Sequence, residues 1–170
     1  MISIFSIVFY TLFLGLMVGG LFVSKRSLPS QILILIVVAI FTGATFLGMF
    51  LGSFFASFVS VILIKMLLFI ISILFIFFCL SRFHTTLGFF YSNDITVWGP
   101  MILLFFFFGM EWAFYEISLW SIIMTSLAFL LAMIGGTYLQ ILIQDRTWRL
   151  PFSPFIPFVW LLFILIIKLL

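Results

Sequence analysis

The sequence predicts an all-α integral membrane protein: one domain over residues 1–170, built as a polytopic bundle of five to six transmembrane helices. Three observations carry that prediction. Hydrophobic residues make up 67% of the chain, and its mean hydropathy is +1.55. Its 27 Phe stand against 7 Lys and Arg and 4 Asp and Glu. A water-soluble domain cannot hide that much apolar surface, because burial always leaves a shell that faces water. The apolar runs also reach the roughly 20 residues that cross a bilayer.

Span one reads from Ile2 to Val23, with Lys25 and Arg26 stopping it and Pro29 breaking the helix. Span two reads from Gln31 to Leu51, and Gly52-Ser53 reads as a very short turn. Span three then runs from Phe54 to Leu80, about 27 residues. That exceeds what a core of about 30 Å needs, so a long third helix must tilt, bulge or protrude. The polar stretch Ser81–Thr96 carries Arg82, His84, Asn93 and Asp94. Span four reads from Ile95 to Trp112 with Pro100 in its first turns, and span five from Ile117 to Ile143. Gln144–Pro154 is a charged, Pro-bounded loop, and Phe155–Leu170 is a sixth apolar run, short for a full crossing.

Charge fixes the topology. Lys25 and Arg26, Arg82, and Arg146 with Arg149 all fall on one face if every span crosses, while the opposite loops hold only Glu111 and Glu116. The positive-inside rule puts the basic face in the cytoplasm or matrix. Loops so short, with a net charge of +3, orient a chain among lipids and do not bind nucleic acid. No basic stretch precedes Ile2 and no small-residue cleavage site follows the first run, so no removable leader is expected. Phe codons are rich in A and T, which suggests an AT-rich, organelle-type genome or an AT-rich bacterium.

No long repeat is evident. Small residues do recur at four-residue spacing: Gly15 and Gly19 in span one; Ala44, Gly48 and Gly52 in span two; Ala128, Ala132 and Gly136 in span five. Such ridges let helix backbones approach closely in lipid, where packing replaces the hydrophobic effect.

Chemistry-bearing residues are few. Cys79 is the one cysteine and His84 the one histidine, which excludes an internal disulfide and a cysteine metal cluster. No phosphate loop, metal-ligand spacing or nucleophile–base–acid set is present, so the chain has no catalytic, cofactor-binding or metal site to predict. Glu111 and Glu116 lie five apart beside aromatic residues and read as solvated acids at headgroup level. Lys65 is the exception. Counted from Phe54 it lies about 17 Å into span three, near the midplane. A lysine there faces protein or water, as a buried ion pair or a proton-path residue.

Leu130-Leu131-Ala132-Met133-Ile134-Gly135-Gly136 resembles the closing run of subunit 6 of respiratory NADH:quinone oxidoreductase, complex I. Phe54-Phe55-Ala56 resembles the opening of that family's third helix, and Gly15-Leu16-Met17-Val18 the end of its first. The resemblance implies a membrane-arm subunit supporting quinone reduction coupled to proton translocation, in the mitochondrial inner membrane or a bacterial inner membrane. It implies other membrane subunits and lipids as partners. This chain would bind no cofactor, while the complex would use NADH, FMN, iron–sulfur clusters and ubiquinone. It also implies a π-bulge near Leu63–Met66, although the family's Tyr-x-Gly-Ala element is replaced by Leu63, Lys65 and Met66. Arg149-Leu150-Pro151-Phe152-Ser153-Pro154-Phe155 resembles the tail of prepilin peptidases, but the two aspartates of that chemistry are not placed for it. That leaves an inactive scaffold, or a small transporter subunit, as the alternatives.

Overall fold

The computed structural model describes residues 4–23, 29–56, 58–83, 89, 95–115, 118, 120–146 and 153–169. The fold is 89% helical with no strand among the described residues. Its elements are α1 (Ile4–Leu21), α2 (Gln31–Phe55), α3 (Val61–Ser81), α4 (Ile95–Ala113), α5 (Trp120–Arg146), a 3-10 turn (Ser153–Phe155) and α6 (Pro157–Leu169). The helices α2, α3, α4 and α5 are long and apolar enough to cross a membrane; α1 and α6 are shorter apolar helices. The chain is a membrane-embedded helical bundle.

The third helix is not the long one. Gly52 and Ser53 lie inside α2, which runs on to Phe55. Gly52 is held there by packing on α4, and the Ser53 hydroxyl donates to the Phe50 carbonyl at 2.7 Å, so neither residue breaks the helix. The break comes between Phe55, the end of α2, and Val61, the start of α3. Ser60 is extended (φ −79°, ψ 147°), and its hydroxyl accepts from the Leu63 N–H at 3.4 Å as an N-cap. The remaining 21 residues of α3 rise about 31 Å, which matches the bilayer core. Tilt or bulge is not needed, and Leu63–Met66 form ordinary α-helix.

Helix directions follow from close contacts. Gly15 on α1 faces Phe129 and Ala132 on α5, and Gly136 faces Leu16, so α1 and α5 run parallel. On α2, Gly48 faces Phe106 and Gly52 faces Met110 and Ala113, so α2 and α4 also run parallel. The antiparallel contacts are α6 on α1, through Gly20 with Pro157 and Phe13 with Trp160 and Phe163, and α2 on α5. At the α2–α5 crossing Phe41 stacks on Phe129 with ring centroids 4.1 Å apart, and Thr42 donates to the Ser126 hydroxyl at 2.9 Å. The third helix packs on α4.

This pattern is an inverted repeat. The contacts of α1 with α5 and α6 are mirrored by those of α4 with α2 and α3. Three crossings separate α1 from α4, so the two units point in opposite directions about a pseudo-two-fold axis in the membrane plane. The axis passes between Thr42 and Ser126, 84 residues apart, which are each other's counterparts and touch. The same register matches Ala44 with Ala128, Leu47 with Leu131, Met49 with Met133 and Gly52 with Gly136. Gly15 matches Gly109, since the first packs on the Phe129 carbonyl and the second on its counterpart at Thr45. No long repeat is evident in the sequence, and the correspondence is one of helix contacts. The repeat lies in the contacts, because positions facing lipid accept almost any apolar residue.

Arg82 and Arg146 lie at one end of the bundle. Aromatic contacts tie the helices together there: Phe22 with Trp98 at 5.9 Å, Phe83 with Phe155 at 4.9 Å and Phe89 with Phe158 at 5.3 Å between centroids. Lys25, Arg26 and Arg149 lie outside the described residues. The opposite end carries the last turn of α4 and the first of α3, with Glu111 and Lys65.

Candidate functional site

Glu111 lies near the end of α4 and is only 3% exposed. A solvated headgroup acid was expected, and the structure corrects that reading: neighbouring helices enclose the carboxylate. Tyr10 from α1 and Tyr115 from the turn after α4 both lie within electrostatic reach of it. Burial, and then the Glu111 and Tyr10 groups beside it, raise the Tyr115 phenol above its ordinary pKa.

The depth of the cluster can be read from the pseudo-axis. Phe105 meets Phe41, the neighbour of Thr42, at 5.2 Å, so Phe105 marks the axis level on α4. Glu111 is less than two turns further along, a rise of about 9 Å. The half-thickness of a bilayer core is about 15 Å. Glu111 therefore lies closer to that level than the half-thickness of a bilayer core, on the buried side of α4.

The repeat supplies an internal control. Glu111 corresponds to Met17, Tyr10 to Leu104 and Tyr115 to Leu21. Met17, Leu104 and Leu21 are each 1% exposed. The three corresponding positions are thus polar at one end of the bundle and apolar at the other.

Lys65 is not at the midplane. With α3 beginning at Val61, it sits in the helix's first turns, about 6 Å from the start. It is half-buried and has no ion-pair partner among the described residues. At that depth its long side chain reaches the interface by snorkelling, so the moved helix boundary removes the reason for a buried ion pair.

The small-residue positions mostly meet neighbouring backbone. A Cβ placed on Gly15 would lie 2.7 Å from the Ala132 Cβ, and one on Gly52 would lie 2.8 Å from the Ala113 Cβ. Gly19 packs on the Met133 carbonyl, Gly48 on that of Phe106 and Gly136 on that of Leu16. Ala44 is buried, whereas Ala128 is half-buried. Gly109, against the Thr45 carbonyl, completes the α2–α4 contact; with Ala113 four residues on, its spacing was the available signal.

Sequence reading also passed over Gln140. It is 2% exposed, and its Nε2 donates to the Ser153 carbonyl at 2.8 Å, fixing the turn before α6 to α5. Cys79 is buried and free. Asp145 is exposed near the basic end. His84, Asp94 and Glu116 lie outside the described residues, among which no group of His, Cys, Asp and Glu could hold a metal ion.

Among the described residues the arrangement is thus one buried carboxylate on α4, with two phenols within electrostatic reach of it. No family model, no curated protein and no solved structure matches the chain, so function has to be argued from this geometry.

Proposed function

We propose that the chain is a small membrane carrier, or the transport subunit of one, whose two inverted three-helix units move against each other. The observation that carries this reading is the mirrored pairing of α1 with α5 and α4 with α2 around Thr42 and Ser126. In such a repeat each half can adopt the other's conformation. The exchange closes one face and opens the opposite one, while a site at the junction stays in place. The two units meet through α2 and α5, at Thr42 and Ser126.

The test is accessibility in sealed proteoliposomes. With Cys79 replaced by Ser, single cysteines at Met17 and Ala113 lie toward opposite ends of the bundle. A carrier exposes both, each to a membrane-impermeant thiol reagent on its own side, and locking one face open protects the other. Reaction from a single face under all conditions overturns the carrier.

A second reading is a membrane-arm subunit of complex I, with NADH, FMN, iron–sulfur clusters and ubiquinone held by partner subunits. The Leu130–Gly136 stretch favours it. Phe54-Phe55-Ala56 closes α2 and its turn instead of opening α3, which weakens the rest of the resemblance. Purification in mild detergent decides: co-migration with subunits carrying flavin and iron–sulfur absorbance is the expected result, and a chain that travels alone overturns it.

A further inference from the structure

We propose that a pocket between the first turns of α1 and α5 binds one acyl chain of a phospholipid, from the leaflet opposite the basic loops. The pocket measures about 370 Å³. An apolar cavity of about 150 Å³ is already enough to take a benzene ring and stay dry. Ile7 and Thr125 are its buried wall, and Val8 lines it from α1. Trp120 and Met124 also line it and are 77% and 70% exposed, so it opens onto the surface that this membrane-embedded bundle turns to lipid. Both helices belong to the same unit, so the site does not rest on the carrier reading.

Depth and polarity select the occupant. Phe129 stacks on Phe41 at the level of the pseudo-axis. Trp120, at the start of α5, precedes it by a rise of about 14 Å, against a core half-thickness of about 15 Å. Thr125 is one turn before Phe129, about 6 Å from the axis level. The pocket therefore runs from the headgroup boundary into the apolar layer, the course that an acyl chain follows. Its inner part asks for nothing polar, since the Thr125 hydroxyl donates within its own helix, to the Ser121 carbonyl at 2.8 Å or that of Ile122 at 3.0 Å. The polar groups, the Trp120 indole N–H and the Ser121 hydroxyl, stand at the outer level, where the ester and phosphate groups of a lipid lie. The other unit is filled differently. Phe41 stands where the repeat puts Thr125, and Val37 where it puts Ser121, and both are fully buried. The pocket is thus no consequence of the shared packing plan.

The experiment is photolabelling of the full chain in phosphatidylcholine nanodiscs, with a fraction of that lipid carrying a diazirine in its acyl chain and adducts mapped by mass spectrometry. Residues 7–8 and 120–125 should be labelled several-fold more than Ile62 and Met66 of α3, which lie toward the same end of the bundle and are similarly open to lipid, at 67% and 59% exposed. Thr125→Phe, which copies Phe41, should lower the pocket labelling several-fold and leave α3 unchanged. Val8→Phe fills the pocket from α1 and should do the same, which keeps the test intact if the Thr125 variant does not fold. Equal labelling of the pocket and of α3 overturns the proposal, because it marks ordinary lipid contact. So does pocket labelling that survives both substitutions. A pocket that is labelled by a diazirine fatty acid and not by the phosphatidylcholine overturns it too.

Discussion

The α1–α5 and α2–α4 pairs share one plan and differ in what they enclose. Each is a parallel pair in which small residues four apart bring backbones into contact. In each, an antiparallel helix covers the central one: α6 on α1 and α3 on α4. The cover over α4 has 21 residues and that over α1 has 13. The end of α4 carries buried Glu111, with Tyr10 and Tyr115 within electrostatic reach, while the matching positions are the buried Met17, Leu104 and Leu21. What is shared is therefore backbone packing, which builds the bundle. The differences lie in side chains and a cover length that packing does not dictate, and those are where function can reside.

The largest effects should come from the shared part. Gly136 faces the Leu16 backbone carbonyl, which cannot move aside, and Gly52 faces Met110 and Ala113 in the corresponding place. Gly136→Ala and Gly52→Ala should each lower stability by about 1–3 kcal/mol through overpacking, and the Leu versions should fail to assemble. Gly43, with nothing within 4 Å, is the control, and Gly43→Leu should be silent. Thermal unfolding in detergent reads all of these. If only one pair were sensitive, the equivalence of the halves would be broken.

The next effect probes the difference. Met17→Glu places an acid in the apolar pocket, where it lacks phenols, and should destabilise by about 3 kcal/mol. Adding Leu104→Tyr and Leu21→Tyr should recover part of that loss, since together they rebuild the polar pocket at the other end. Denaturant unfolding in mixed micelles gives both numbers. No recovery would mean that Glu111 is tolerated for a reason other than its two tyrosines.

The bundle's class, the start of α2 at Gln31 and the small-residue ridges were legible from the sequence because hydropathy and four-residue spacing are local signals. The α2–α3 boundary was not. Gly52-Ser53 is a turn signal in water, but in a helix packed on α4 the glycine is a contact and the serine back-bonds to Phe50. Misplacing that boundary carried Lys65 to the midplane. Ser60 just before Val61 was the stronger signal, as a cap preceding an apolar run. The burial of Glu111 could not be read locally, because it depends on which helices pack around α4. The repeat is faint in the sequence because its halves agree at contact positions such as Met49 and Met133 and diverge elsewhere.

A smaller effect concerns α6. Gln140 holds the Ser153 carbonyl, and Gln140→Leu should cost about 1 kcal/mol, with more if the carbonyl finds no water. Its distinguishing sign is local: hydrogen exchange should rise in α6 and not in α3, which has no corresponding link among the described residues. Uniform loosening of both covers would show that Gln140 acts on the bundle as a whole.

The smallest effect lies on the axis itself. The Thr42 hydroxyl lies 2.8 Å from the Val38 carbonyl and 2.9 Å from Ser126, with one proton to donate to either, while Ser126 donates to the Ile122 carbonyl at 2.7 Å. Each hydroxyl thus keeps a bond to its own helix when the partner is removed. Bonds between helices in lipid are worth about 0.6 kcal/mol on average. Thr42→Val and Ser126→Ala should therefore each cost little, and the double variant should show a coupling of about 0.6 kcal/mol in a double-mutant cycle. The carrier reading adds a kinetic demand. If the two units move against each other, this bond lies at their pivot, and its loss should change the rate at which cysteines at Met17 and Ala113 become accessible more than it changes stability. A stability loss with unaltered accessibility rates would reduce the Thr42–Ser126 bond to one more packing contact.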